Sequence, residues 1–171
     1  MRVLLLLSLV LVIPIVVSES LVSKTELKTT TLAEWPEKLK AYQPNIVVLD
    51  LWATWCISCL ERFPHMVEMH NQYKDKGVIF VSLLLEDPEE PQAIEMARKF
   101  LDKQQADFDH YFMNENLMHS FEQLDLLGIP AVFIYASDGS LAYRLTNDNP
   151  NKQFTEGDVQ TAIQTLLTKD K

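Results

Sequence analysis

The stretch Ile46-Val47-Val48-Leu49-Asp50-Leu51-Trp52-Ala53-Thr54-Trp55-Cys56-Ile57-Ser58-Cys59 decides how this chain is read. Its first seven residues are an apolar, β-branched run of strand length, interrupted only by Asp50. Such near-continuous hydrophobicity suits a central strand buried on both faces. From Ile57 to about Lys76 the spacing of Leu60, Phe63, Met66 and Val67 predicts a helix, which Gly77 stops. Both cysteines therefore fall where a strand meets a helix. The unpaired first-turn N–H groups and the positive end of the helix dipole favour a thiolate on Cys56. Such placement lowers a thiol pKa from ~8.5 into the range of about 3.5–7.5. The thiolate is the attacking species in disulfide exchange, and a low-pKa thiol is also the better leaving group. Two intervening residues on a helical turn bring Cys59 within bonding reach, so Cys59 can resolve a mixed disulfide formed on Cys56.

Two plainer readings of the pair are weaker. As a staple, a four-residue loop yields only roughly 1.9 kcal/mol of loop-closure entropy, against ~4.7 kcal/mol for a hundred-residue loop. As a metal site, one CxxC supplies two ligands, and His65, His70, His110 and His119 have no i, i+4 pairing to complete a set.

Outward from this stretch, strands and helices alternate. Thr31 can cap a short helix over Leu32 to Ala41, ahead of the central strand. Val78 to Leu85 reads as a second buried strand, and Pro88 to Gln105 as a helix with acids in its first turn. An extended piece from Phe108 to Met113 precedes a helix from Glu115 to Leu126. Gly128-Ile129-Pro130 then introduces the strand Ala131 to Tyr135. Ser137-Asp138-Gly139-Ser140 turns the chain into Leu141 to Leu145, a hairpin. A helix from Thr155 to Thr168 ends the pattern. Alternation followed by a hairpin predicts an α/β fold, a mixed sheet covered on both faces. Right-handed crossovers would leave Cys56 at the exposed end of the first buried strand.

Composition narrows the function classes. The chain has 171 residues, with 15 Lys plus Arg against 24 Asp plus Glu. That length suits one domain, and a net charge of −9 argues against a sequence-independent nucleic-acid binder, which needs cations to replace phosphate counterions. Residues 1–18 (MRVLLLLSLVLVIPIVVS) carry one cation before an apolar run from Val3 to Val17, the pattern of a secretory signal. Val16 and Ser18 suit cleavage after Ser18. The alternative is an uncleaved anchor, although a fifteen-residue run, interrupted by Ser8 and Pro14, falls short of the ~20 residues that span hydrocarbon. Residues 19–30 then form a linker and 31–171 one domain outside the cytoplasm. The absence of any Asn-x-Ser/Thr sequon favours a bacterial envelope.

The segment Leu49 to Cys59 resembles the active-site segment of the thioredoxin superfamily, and its Trp-Ala-Thr-Trp-Cys form is most similar to the exported TlpA-like thiol–disulfide oxidoreductases. The resemblance runs from about Asn45 to Leu145. It implies a thioredoxin-like three-layer sandwich, here with an N-terminal extension and an inserted helix–strand segment between Glu86 and Asn116. Asp50, six residues before Cys56, matches the family's buried acid that exchanges protons with the second cysteine. An acid in an apolar strand is costly when charged and unpaired, so burial should raise its pKa. Pro64 resembles the family's kink in the active-site helix. Pro130 matches a cis proline packed against the cysteines, and Ile129 before it offers backbone groups to an extended substrate segment. Trp55 would form part of an apolar substrate rim, and Trp52 would point into the core. Ile57 and Ser58 depart from the family's common intervening pairs, so they tune a potential that cannot be borrowed from a relative.

The resemblance therefore implies a protein-disulfide oxidoreductase that needs no cofactor. On that reading it would act on protein thiols and disulfides as a reductant in the cell envelope, of the cytochrome c maturation type and recharged by a membrane electron donor, and a monomer is expected. Two alternatives stand beside it. One is a metallochaperone holding Cu(I) on Cys56, Cys59 and a nearby histidine, since thiolates suit a soft ion. The other is a thiol peroxidase, for which Thr54-Trp55-Cys56 has the wrong spacing.

Overall fold

The computed structural model describes residues 25–147, 151 and 153–169. The expected signal segment 1–18, and the expected linker as far as residue 24, lie outside the described residues. Six strands of the described residues form one sheet: β1 (Leu27–Thr30), β2 (Ile46–Trp52), β3 (Val78–Leu84), β4 (Asp109–Met113), β5 (Ala131–Tyr135) and β6 (Leu141–Thr146), in the spatial order β1-β4-β3-β2-β5-β6. β2 pairs parallel with β3 and antiparallel with β5, so the sheet is mixed. Among the described residues five helices cover it: α1 (Trp35–Lys40), α2 (Ile57–Tyr73), α3 (Pro91–Gln104), α4 (Leu117–Gln123) and α5 (Glu156–Lys169). This is the α/β sandwich that the alternation predicts, in the thioredoxin-like form that the resemblance implies.

Side-chain alternation along β2 sorts the core into layers. Ile46 and Val48 pack with Met66 and Met69 of α2 and with Val159, Ile163 and Leu166 of α5. Val47, Leu49 and Leu51 pack on the opposite face with Trp35 of α1 and Phe121 of α4. Trp52, Phe63, Ala97 and Leu101 join β2, α2 and α3 at the end of the sheet that carries the cysteines. All seven residues of β2 are buried, as its unbroken hydrophobicity requires.

Several boundaries move for local reasons. Leu27–Thr30, read from sequence as the end of the linker, form β1, which pairs parallel with β4, and Lys28 Nζ lies 2.6 Å from Asp109 Oδ1. Thr31 Oγ1 accepts from Glu34 N–H at 3.3 Å, capping a turn ahead of α1, which starts only at Trp35. Asp87 Oδ1 accepts from Glu89 N–H, so Glu89 and Glu90 sit ahead of α3 and its first turn holds no acid. α4 starts at Leu117 because Asn116 is its N-cap, accepting from His119 N–H at 3.1 Å. Gly77 closes α2 and the 3-10 turn that follows it, with φ +75, a conformation costly for any residue with a Cβ.

Candidate active site

Cys56 is the N-cap of α2 and carries the extended backbone that position requires, φ −90 and ψ 92. Its Sγ accepts the N–H of Cys59 at 3.2 Å, and Ser58 Oγ stands 3.7 Å away. A donor aimed at sulfur favours the thiolate over the thiol. Cys56 and Cys59 are joined in a disulfide, with Cα atoms 5.2 Å apart. Cys56 retains 6% exposure against 1% for Cys59, so Cys56 is the sulfur nearer to solvent.

Exposed apolar side chains flank the pair. Trp55 is 53% and Ile57 72% exposed, and the Trp55 ring stacks on Phe121 of α4 at 6.4 Å. Trp52 is fully buried, in the core as expected. The Ile129–Pro130 bond is cis, as the resemblance implies. Ile129 packs against the cluster that contains both cysteines. Leu127, 84% exposed, lies just before it.

Two contacts absent from the sequence reading brace this end. Glu86, 4% exposed, accepts both the N–H and the hydroxyl of Thr54, at 2.5 and 2.6 Å. It thereby ties the loop carrying Trp55 and Cys56 to the end of β3. Thr54→Val removes one bond to a charged acceptor, so a loss of about 1.5–3 kcal/mol in urea unfolding is expected; a loss near zero would mean that the tie is not made.

The second contact concerns Asp50. It is 1% exposed and shares a sheet face with Val48, beneath α2. Arg62 Nη2 donates to Asp50 Oδ1, and the two form a buried ion pair. Arg62 Nη1 also reaches Met66 Sδ at 3.5 Å, and the Phe154 ring covers the guanidinium at 5.0 Å. Burial pushes the Asp50 carboxyl above its ordinary range, while the charge and hydrogen bond of Arg62 oppose it. The available signal was a cation set in the apolar stripe of Cys59, Phe63 and Met66.

Further along the same face, Ser82 and His110 stand in register beside Asp50 on β3 and β4. Their Oγ and Nδ1 atoms are 2.7 Å apart. A groove of about 930 Å³ opens at the far ends of β1, β3 and β4, lined by Lys28, His70, Asp102 and Phe108 among others. It contains no residue of the cysteine site. Among the described residues no group of three His, Cys, Asp or Glu side chains converges on a metal position.

The AhpC/TSA family profile matches residues 22–144. The thiol-disulfide oxidoreductase ResA of Bacillus thuringiensis subsp. konkukian is 24% identical over 119 residues, 70% of this chain and 65% of that protein. The chain thus spans less than two-thirds of that relative's length. ResA of Oceanobacillus iheyensis reaches 42% over 43 residues, 25% of this chain and 22% of that one. Among solved structures, a Chlorobium tepidum protein assigned as thiol:disulfide interchange protein DsbE matches with TM-score 0.60 and 25% identity, covering 75% of this chain and 84% of the other. A secreted Mycobacterium tuberculosis disulfide oxidoreductase matches with TM-score 0.57 and 18% identity, covering 74% and 86%; that likeness concerns the fold.

Proposed function

The chain belongs to the AhpC/TSA family, and from that premise we propose that it is a thiol–disulfide oxidoreductase acting on protein cysteines through Cys56 and Cys59. The observation that carries this reading is the disulfide at the start of α2, with Cys56 Sγ taking a helix N–H inside a rim of exposed Trp55 and Ile57. The pair sits just beneath that exposed rim, away from the large groove, an arrangement that suits a protein client better than a small molecule enclosed in a cavity.

In the reductive direction the Cys56 thiolate attacks a client disulfide. One client thiolate leaves and a Cys56–client disulfide forms. Asp50 takes the proton of the Cys59 thiol, and the Cys59 sulfur attacks Cys56 Sγ, expelling the second client thiolate. Two electrons have then passed to the client, and the Cys56–Cys59 disulfide remains. A dithiol donor must reduce it again, and we assign that role to a membrane partner. Ile129 and cis-Pro130 present backbone groups to the client, and Ile57 and Ser58 tune the potential.

The TlpA-like resemblance supports a direction and a place for this reading: a reductant exported to the cell envelope, with apocytochrome c as the type of client. No helix among the described residues is long and apolar enough to cross a membrane, so attachment would rest on residues 1–18. Cys59→Ser should accumulate mixed disulfides on Cys56 that run as higher-mass, reductant-sensitive bands. Recovering none from an envelope extract would overturn the proposal. Equilibration against glutathione tests the direction, a reductant lying on the more negative side.

A further inference from the structure

We propose that Arg62 and Phe154 are positioning residues that decide when Asp50 can take the proton of Cys59, Arg62 as its counter-charge and Phe154 as a roof that keeps the pair dry. This deepens the dithiol reading above and rests on it.

Arg62 follows Cys59 by one turn of α2, so their side chains are neighbours on one face of the helix. From there the guanidinium bonds Asp50 Oδ1. Side-chain exposure is 7% for Arg62 and 2% for Asp50. Arg62 is the one charged group acting on Asp50 among the described residues. The other elements on this face bring Ser82 and His110, in register on β3 and β4, Val132 on β5, Met66 on α2, whose sulfur Arg62 Nη1 reaches, and apolar side chains of α5. Ser82 and His110 bond each other.

Phe154 lies in the segment leading into α5. Its N–H is held by Asn147 Oδ1 at 3.0 Å, and its half-buried ring lies over Arg62 Cζ at 5.0 Å, a cation–π distance. The ring is thus the lid over a guanidinium that is otherwise enclosed by protein.

The two residues push Asp50 in opposite directions. Arg62 favours the carboxylate, and enclosure favours the acid. Enclosure is the stronger. Removing Arg62 should therefore raise the pH at which Asp50 becomes a base. Removing the Phe154 ring admits water and should lower it towards the ordinary carboxylate value. A residue that merely braced the fold would alter stability without giving this pair of opposite signs.

The test uses the reduced full chain mixed with an aromatic disulfide in stopped flow. The first thiolate released reports attack by Cys56, and the second reports resolution by Cys59. In the parent chain the rate of the second release should fall on an acidic limb that Asp50→Asn abolishes. Arg62→Met should move the midpoint of that limb up by about one pH unit or more, a tenfold slower resolution at a fixed pH on the limb. Arg62→Lys should restore part of the shift, and Phe154→Ala should move the midpoint down. Should Arg62→Met not fold, Arg62→Lys and Phe154→Ala still carry the opposite signs. Midpoints that coincide with the parent, or that move the same way, overturn the inference while the cysteine chemistry stands. An acidic limb that survives Asp50→Asn overturns it as well. Absence of any second release in the parent chain would instead sink the dithiol reading on which it rests.

Discussion

Arg62→Met should cost about 3–5 kcal/mol of folding stability, because it leaves the Asp50 carboxylate buried without its counter-charge. With a urea slope of about 2 kcal/mol per molar, the midpoint would fall by roughly 2 M, a large share of what a domain of this size holds. The double variant Asp50→Leu/Arg62→Met should recover most of that loss and could exceed the parent, since apolar replacement of a buried pair is often neutral or gains about 1–4 kcal/mol. The local accounting favours a gain. Asp50 Oδ2 and Arg62 Nε are both buried without a hydrogen-bond partner, and each such atom costs about 1–3 kcal/mol. The single-variant loss should also depend on pH. Without Arg62 the folded-state pKa of Asp50, already raised by burial, rises further. A raised carboxyl contributes stability that is present below its unfolded pKa and is lost as pH rises through the folded one. The Arg62→Met deficit should therefore be smallest in acid and grow towards neutrality. Equal deficits for the single and double variants would show that packing of the Arg62 stem, not its charge, holds this region.

The sequence made the central strand legible because burial on both faces leaves an unmistakable run. β2 spans Ile46–Trp52, as its apolar residues predict, and β5 likewise spans Ala131–Tyr135. Helix starts were less legible, because side chains such as Thr31, Asp87 and Asn116 can cap more than one register. β1 was hidden for a different reason. Four residues containing Lys28 and two threonines carry no apolar run, and their strand form depends on pairing with β4, more than eighty residues later in the chain. The cysteine pair could be read because its chemistry is local, set by a strand, a turn and a helix N-terminus. Its braces could not. Glu86 meets Thr54, and Phe154 meets Arg62, only through tertiary packing, and neither spacing has a local signature. Asp50 lies between the two cases. An acid in that strand announced burial, but that Arg62, the one Lys or Arg of α2, turns inward to meet it depends on packing.

Lowering the pH from 7 to 4 should remove about 3 kcal/mol of stability through His110 alone. The ring is fully buried, with Nδ1 2.7 Å from Ser82 Oγ and Nε2 3.2 Å from the Ala106 carbonyl. The carbonyl can only accept, so Nε2 carries the proton and Nδ1 accepts from the Ser82 hydroxyl. The rings of Phe108 and Phe63 stand 4.6 and 6.3 Å away and offer an added charge no solvation. Burial accordingly depresses the folded-state pKa from 6.5 to about 4. A depressed pKa gives stability that is present above the unfolded value and lost as pH falls towards the folded one, so the window is about pH 6.5 to 4. Across that window the unfolded chain binds a proton that the folded chain refuses, at 1.36 kcal/mol per unit. His70, also pushed down by burial, acts with the same sign. Asp109, held below the ordinary carboxylate range by Lys28 and Tyr42, contributes only at lower pH. His110→Gln keeps an acceptor and a donor near Ser82 and Ala106 but cannot titrate. Urea midpoints taken across pH 7 to 4 should therefore fall less steeply in His110→Gln, by about one bound proton. Parallel slopes in the two proteins would mean that His110 is protonated within the fold, and the acid loss would then have to come from His70 or from carboxylates.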